Sequence, residues 1–425
     1  MPNSNPKNKG VPQISRREAL GASLIAAATL ELGGLGAMAA ETASTAGALP
    51  MDPDLAAYLK GPGGKLEYFQ DYVGVGSNYR GDKVKPWELS AEKLSAAGLT
   101  RETWTLDVIS DDGKLLDNPR AKAAGNAITY ADVLRLTEQR PLRILKTLVC
   151  LGMDHASSCG LWEGAALRDV LWLARPKGAI RRIAFHGLQP DDQAKQEWCS
   201  SLPPARVFED PPGMASVMLA LKYNGRWLTP RMGGPVRLIV HEHYGFKNTR
   251  HVRRIVFTHQ PAASDDYIKI GQDVESPTKT VAMVPKVCQK EPLLFGGQVL
   301  VGFSGLKTVQ YAVIPDDRPL PDTDPYLLSL PWKDGMLLPA PPAFAASIPG
   351  GARNVFGLSG DGTPLEWPIP SFLAYWISPP VRDLKPGKYK AYARAVNRHG
   401  DAQPLPRPFD ASGRTALSYC TFRRH

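Results

Sequence analysis

The chain has 425 residues, 43% of them hydrophobic and 22% charged, which suits a folded protein of two or three domains and excludes wholesale disorder. Its 51 Lys and Arg exceed its 41 Asp and Glu, for a formal charge of +10, and 39 Gly with 39 Pro disfavour a helical bundle and favour short strands joined by turns. Five Cys are too few for a disulfide scaffold at this length, and an odd count leaves at least one thiol over.

Residues 1–39 read as an export signal of the twin-arginine type. A polar basic start ends in Ser15-Arg16-Arg17-Glu18-Ala19-Leu20, an Ala/Gly-rich stretch holds Glu31, and Ala37-Met38-Ala39 offers a small-residue cleavage site. The stretch is too small-residued for a membrane span. The expected location is the periplasm, and this route exports folded proteins, which suits a cofactor loaded beforehand. Cleavage would remove Lys7, Lys9, Arg16 and Arg17 with Glu18 and Glu31, leaving +8. That excess can attract an anionic ligand or simply be a basic solvated surface. No basic stripe interleaves with aromatics, so a nucleic-acid partner is not expected.

Residues 40–65 read as a linker, and 66–285 mix strands with helices. Residues 143–150 form a buried strand. Ala165, Leu167, Val170, Leu171 and Ala174 are spaced for an amphipathic helix over 162–174, and Arg182–Phe185 forms another strand. Residues 216–223 run into Asn224-Gly225, which suits a tight hairpin turn because it tolerates positive φ. Val236–Val240 and Val252–Phe257 are further strands. From about 290 to 425 helical periods vanish. Gln298–Phe303, Thr308–Ile314 and Tyr389–Val396 are short β segments, and Tyr389, Ala391, Ala393 and Ala395 alternate as in a half-buried strand. This second part reads as an immunoglobulin-like β-sandwich, so the fold class is α+β.

Cys150 ends a hydrophobic strand and meets Gly152 two residues later. A thiol on a rigid strand at a loop mouth can be a metal ligand or nucleophile, and can equally be a buried structural Cys.

Leu148, Cys150 and Gly152, followed by Trp162, Gly164, Leu167 and Leu171, resemble the molybdenum-cysteine segment of the sulfite oxidase family. A second similar block runs from Leu219 to Gly225, then Gly234-Pro235-Val236-Arg237-Leu238, Tyr244-Gly245-Phe246-Lys247 and Arg253-Arg254-Ile255. Phe303-Ser304-Gly305, Trp376, Ala393-Arg394-Ala395 and Gly400-Asp401-Ala402-Gln403-Pro404 resemble the family's C-terminal dimerisation domain. The blocks keep their order across roughly residues 66–410.

The resemblance implies a mixed α/β molybdopterin-binding domain followed by that sandwich, and a homodimer. It also implies molybdenum on one pyranopterin dithiolene, with the Cys150 thiolate completing the protein ligation. The reaction would be two-electron oxygen-atom transfer on a small oxo-anion or sulfur-containing substrate, by sulfite-type oxidation or sulfoxide-type reduction. Arg237 would hold the pterin or its phosphate, with Lys247 and the Asn248-Thr249-Arg250 turn nearby; Arg250 stands where the family has Lys. Asn78, Tyr79 and Arg80 fall where the family's N-terminal segment approaches the pterin. No Cys-x-x-Cys-His haem motif occurs. Electrons would therefore pass to or from an external carrier, such as a cytochrome c or a membrane quinol-linked subunit.

Departures from the family bear on the substrate. Met153 replaces an Asn, Met232 a polar residue, and His155 the Arg that helps sulfite-oxidising members bind their anion. His186-Gly187-Leu188 stands where a pocket tyrosine is usual. His155 would line the substrate pocket and handle protons, or cap a loop, and His186 would contact the cofactor. These changes make sulfite a doubtful substrate and motivate the alternative of a cofactor-free periplasmic binding or structural protein. His241-Glu242-His243 reads as a surface strand end, with a metal site as the sharper reading. Cys159 reads as packing, and a disulfide among Cys199, Cys288 and Cys420 has no readable pairing.

Overall fold

The computed structural model describes residues 68–72, 88–149, 158–188, 197–284, 286–287, 293–403 and 417–425. The helices are short: α1 (Ala91–Ala96), α2 (Tyr130–Gln139), α3 (Leu167–Leu171), α4 (Pro204–Phe208) and α5 (Phe344–Ser347). Among the described residues none is long and apolar enough to cross a membrane. The strands of the first part are β1 (Thr105–Ser110), β2 (Ile128–Thr129), β3 (Leu142–Leu148), β4 (Ser158–Ala166), β5 (Arg182–Gly187), β6 (Trp198–Leu202), β7 (Met218–Tyr223), β8 (Arg226–Trp227), β9 (Arg237–Ile239) and β10 (Val252–Thr258). Those that follow are β11 (Val281–Ala282), β12 (Lys286–Val287), β13 (Phe295–Leu300), β14 (Thr308–Pro315), β15 (Lys333–Asp334), β16 (Met336–Leu337), β17 (Val355–Phe356), β18 (Leu373–Ile377), β19 (Gly387–Val396) and β20 (Ser418–Arg424).

Two sheets build the first part. One runs β2-β1-β10-β5-β6, with β1 and β10 parallel; the other runs β17-β3-β4-β7-β8, with β9 also on β7. Leu106, Val108, Ile183, Phe185, Ile255 and Phe257 of the first sheet share one core with Leu219, Leu221 and Leu238 of the second. Each such side chain contributes about 1.5–3 kcal/mol of hydrophobic stabilisation. Asn224 (φ 48°) and Gly225 (φ 74°) make the β7–β8 turn in the conformation their dipeptide predicts.

The helix expected over 162–174 is only partly one. Residues up to Ala166 belong to β4, which pairs with β3 on one side and β7 on the other, and the helix is confined to α3. A strand buried on both faces shows no period of two, so its apolar run reads as helical. Gly164 is where β7 comes closest: a Cβ there would collide with the Leu219 carbonyl. The glycine of the Trp-x-Gly motif is thus a packing residue.

The remainder is a β-sandwich. One sheet runs β11-β13-β18-β16, with β12 on β13, and the other β15-β14-β19-β20. Phe295, Val299 and Trp376 meet Val309, Tyr311, Ala391, Ala393, Ala395 and Phe422 in its core. Gln403 joins the two sheets, its Oε1 accepting from Ala282 N at 2.8 Å and Ala395 N at 2.9 Å. The half-buried pattern expected of β19 fails because its outer face is also partly covered: Tyr392 packs with Leu330, and Arg394 is buried. The expected absence of helix past 290 is interrupted by α5, and β17 pairs in parallel with β3 of the first part. Tyr68, Leu145 and Leu161 accordingly share a core with Phe344, Val355 and Phe372.

Candidate functional site

β3 carries the chain to Val149, which is buried, and the Val149 carbonyl accepts the Gly245 amide at 2.7 Å. That bond ties the segment entering Cys150 to the loop after β9. Cys150, His155, Asn78, Tyr79, Arg80 and Met153 lie outside the described residues. Cys159 is buried with its sulfur 3.2 Å from the Thr147 hydroxyl, and burial pushes its thiol up to about 12. It is an inert packing thiol. Cys199 and Cys420 are also free thiols, and Cys288 is outside the described residues.

Arg237, on β9, is the centre of what the described residues assemble. Its Nε donates to Asn248 O at 3.2 Å, and Nη1 donates to Tyr72 OH at 2.7 Å and to Met232 O at 2.8 Å. Its guanidinium also lies 5.7 Å from the Tyr72 ring and 5.5 Å from that of Trp162. Burial raises the Tyr72 phenol, but the positive charges of Arg237, Arg250 and Arg231 together outweigh it and bring the phenol below its usual range. Of the three, Arg237 is the one hydrogen-bonded to this half-buried hydroxyl. Trp162 is fully buried, and its indole Nε1 has no hydrogen-bond partner among the described residues.

The Asn248-Thr249-Arg250 turn is held from several sides. Asn248 Oδ1 accepts from Val240 N at 2.8 Å, while Nδ2 donates to Tyr244 O at 2.7 Å and His243 O at 3.2 Å. The Thr249 hydroxyl lies 2.7 Å from that of Ser200. His251 follows at φ 49°, a left-handed conformation costing a side-chain-bearing residue about 1–2 kcal/mol. Its amide donates to Gly233 O at 2.8 Å, and its Nε2 lies 2.8 Å from Pro230 O. These bonds lead the turn into β10.

Lys247, expected beside the cofactor, has a different job in the structure. Fully buried, it pairs with Asp265 at 2.7 Å and donates to Ser201 O at 2.6 Å, joining the turn to β6. His186 is half-buried near the end of β5, its Nδ1 3.6 Å from Glu197 Oε2; burial and the Arg254 charge lower its pKa. Gly187 and Leu188 run beside the turn, Gly187 opposite Val252 and Leu188 N donating to His251 O at 3.0 Å.

The expected surface position of His241-Glu242-His243 is overturned: all three are buried. Glu242 accepts from Arg206 Nε at 2.6 Å and Nη2 at 2.8 Å, and this pairing lets a charge sit inside. Despite burial, Arg206 holds the Glu242 carboxyl at about 2. Burial lowers His241 to about 3 and His243 to about 4. Lys146 of β3, also enclosed, donates to His241 O at 2.7 Å and His243 O at 2.8 Å; burial brings its amine down to about 7. Among the described residues no cluster of three His, Cys, Asp or Glu is placed to hold a metal.

The structure therefore brings together Arg237, Asn248, Thr249 and Arg250, with His186 on the adjoining strand. It adds Tyr72, Arg231, Lys146 and His251, which the sequence reading missed. Tyr72 is 165 residues from Arg237, and no local pattern marks it.

Residues 96–266 match the family described as the oxidoreductase molybdopterin binding domain. The nitrate reductase [NADPH] of Fusarium oxysporum is 30% identical over 144 residues, 32% of this chain and 14% of that protein. That of Beauveria bassiana is 28% identical over 127 residues, 28% of this chain and 13% of that protein. The similarity thus spans about a seventh of the length of these relatives. The sulfane dehydrogenase SoxCD of Paracoccus pantotrophus superposes with a TM-score of 0.47 at 15% identity, covering 76% of this chain and 77% of that one. Residues 96–266 are thus similar to an oxidoreductase molybdopterin-binding domain.

Proposed function

We propose that the chain holds a molybdenum–pterin cofactor between the end of β3 and the turn before β10, with Cys150 as the protein's thiolate ligand. The carrying observation is Arg237, held by Tyr72 OH, Met232 O and Asn248 O, with the charges of Arg231 and Arg250 also acting on Tyr72, beside a buried Trp162 indole N–H that has no partner among the described residues. A pterin bearing a phosphate is anionic and rich in acceptors, so this donor set fits it. Bound there, the group supplies two-electron oxygen-atom transfer.

The protein's own residues bind and orient. Arg250 and Arg231 supply positive charge, and Arg237 braces the 248–250 turn against Tyr72 and Met232. The Gly245–Val149 bond fixes the approach to Cys150. His186, its pKa lowered by burial, can accept a hydrogen bond from a pterin N–H at its unprotonated ring nitrogen. Lys247 contributes indirectly, by anchoring the turn to β6.

The reading includes export by the twin-arginine route to the periplasm, supported by the Ser15–Leu20 and Ala37–Ala39 patterns. It includes a small oxo-anion or sulfur-containing substrate, an external electron carrier and a homodimer through the sandwich. Met153 and His155 in place of the family's Asn and Arg favour a substrate other than sulfite.

Metal analysis of protein matured in a host that makes the cofactor tests the ligand. Near-stoichiometric molybdenum is expected, lost in Cys150→Ala; full retention in that variant rules the assignment out. Turnover with sulfite-type donors against sulfoxide-type acceptors, each with artificial electron carriers, gives the direction.

A further inference from the structure

The outer face of β14 and β19 carries an open cavity of about 620 Å³, walled on one side by residues 326–334. That volume suits a small metabolite. Arg394 of β19 lies in its wall and is only 8% exposed. Its guanidinium stacks 4.1 Å above the Trp332 ring, and its Nε donates to Gln310 Oε1 at 2.9 Å. Among the described residues the hydrogen-bond partners of Arg394 are Gln310 Oε1 and Tyr326 O, neither a carboxylate, and Lys307 also lines the cavity. An enclosed charge without a counter-ion is costly, and an incoming anion offsets that cost.

The acids of the same cavity are engaged elsewhere. Asp334 Oδ1 accepts from Gln310 Nε2 at 3.0 Å, so Gln310 stands between that carboxylate and Arg394. Asp401 Oδ2 accepts from Asn397 Nδ2 at 3.0 Å and closes its own turn. Asp324, whose charge also acts on Arg394, accepts the Leu328 and Ser329 amides at 2.9 and 2.7 Å. Burial lowers the Arg394 pKa even so. The lining also offers open apolar surface: Tyr326 is 49% and Leu328 71% exposed.

We propose that this cavity binds a small organic carboxylate carrying an apolar group, the carboxylate on Arg394 and Lys307 and the apolar part against Tyr326 and Leu328. The planar guanidinium fork matches a carboxylate, and its stacking on Trp332 fixes the fork in place. The site lies on the sandwich and does not depend on the cofactor reading.

Sodium benzoate, with benzamide as its neutral counterpart, tests this by calorimetric titration and Trp fluorescence on the full-length protein. Benzoate is expected to saturate with a Kd of about 0.01–1 mM, and benzamide to bind at least about tenfold more weakly. Arg394→Gln should weaken benzoate at least about tenfold, and Trp332→Phe should reduce the fluorescence response while leaving a titration heat. Lys307 is exposed, so Lys307→Gln preserves the fold and should weaken binding severalfold even if Arg394→Gln unfolds the sandwich. Equal affinity for benzamide, wild-type affinity in Lys307→Gln or a folded Arg394→Gln, or no saturation by about 10 mM benzoate would overturn the proposal.

Discussion

Arg237 and Tyr72 meet through a 2.7 Å hydrogen bond across 165 residues of sequence. The bond joins the segment at residues 68–72 to β9. Tyr72→Phe removes one half-buried bond to a charged donor, so a loss of about 1.5–3 kcal/mol or less in urea unfolding is expected. Arg237→Ala strips the donor from Asn248 O, Met232 O and Tyr72 OH together. It should cost about 3–5 kcal/mol and reduce molybdenum content in protein that still folds. Wild-type stability in Arg237→Ala would contradict the bracing role.

Gly164→Ala places a Cβ against the Leu219 carbonyl, where backbone cannot yield cheaply. Overpacking of this kind costs about 1–3 kcal/mol. The midpoint of denaturant unfolding should fall accordingly.

Arg206 and Glu242 are both buried, and either alone is an uncompensated charge. Arg206→Ala should cost about 3–5 kcal/mol, more than a typical surface pair. Glu242 titrates at about 2 when folded, below its unfolded value, so its contribution is complete above about pH 4.3 and fades as pH falls toward 2. In Glu242→Gln this part of the acid dependence of stability should vanish, measured by denaturant unfolding from pH 5 to the lowest pH at which the protein folds.

Lys146 gives the opposite window. Its folded amine titrates at about 7 and its unfolded one near 10.4, so the unfolded chain binds more protons between those values and stability rises with pH there. Lys146→Met removes this rise. The stability of wild type relative to Lys146→Met should therefore grow by a few kcal/mol from pH 7 to 10. A pH-independent difference would show that the amine titrates normally.

His241, His243 and His251 are held neutral by burial, the last two at about 4. Unfolding lets them protonate near pH 6.5, so stability should fall as pH drops from 6.5 to about 4. His251→Asn should shallow that slope; an unchanged slope means that other groups set it.

The sequence determined the elements whose cause is local. Asn224-Gly225 turns because both residues tolerate positive φ, and the Thr308–Ile314 and Tyr389–Val396 segments pair as strands. The ordered blocks around Cys150 and Arg237 sufficed to indicate the molybdopterin-binding domain that residues 96–266 match, because such motifs are short stretches of local sequence. Only the tertiary structure decided the rest. It turned part of the expected 162–174 helix into a doubly buried strand and put His241, Glu242 and His243 inside. It also tied Lys247 to Asp265 and brought Tyr72 to Arg237. In each case the deciding term is the burial of a polar group or the pairing of distant strands. Those energies depend on partners such as Arg206, Asp265 and β7, whose arrival no local pattern announces.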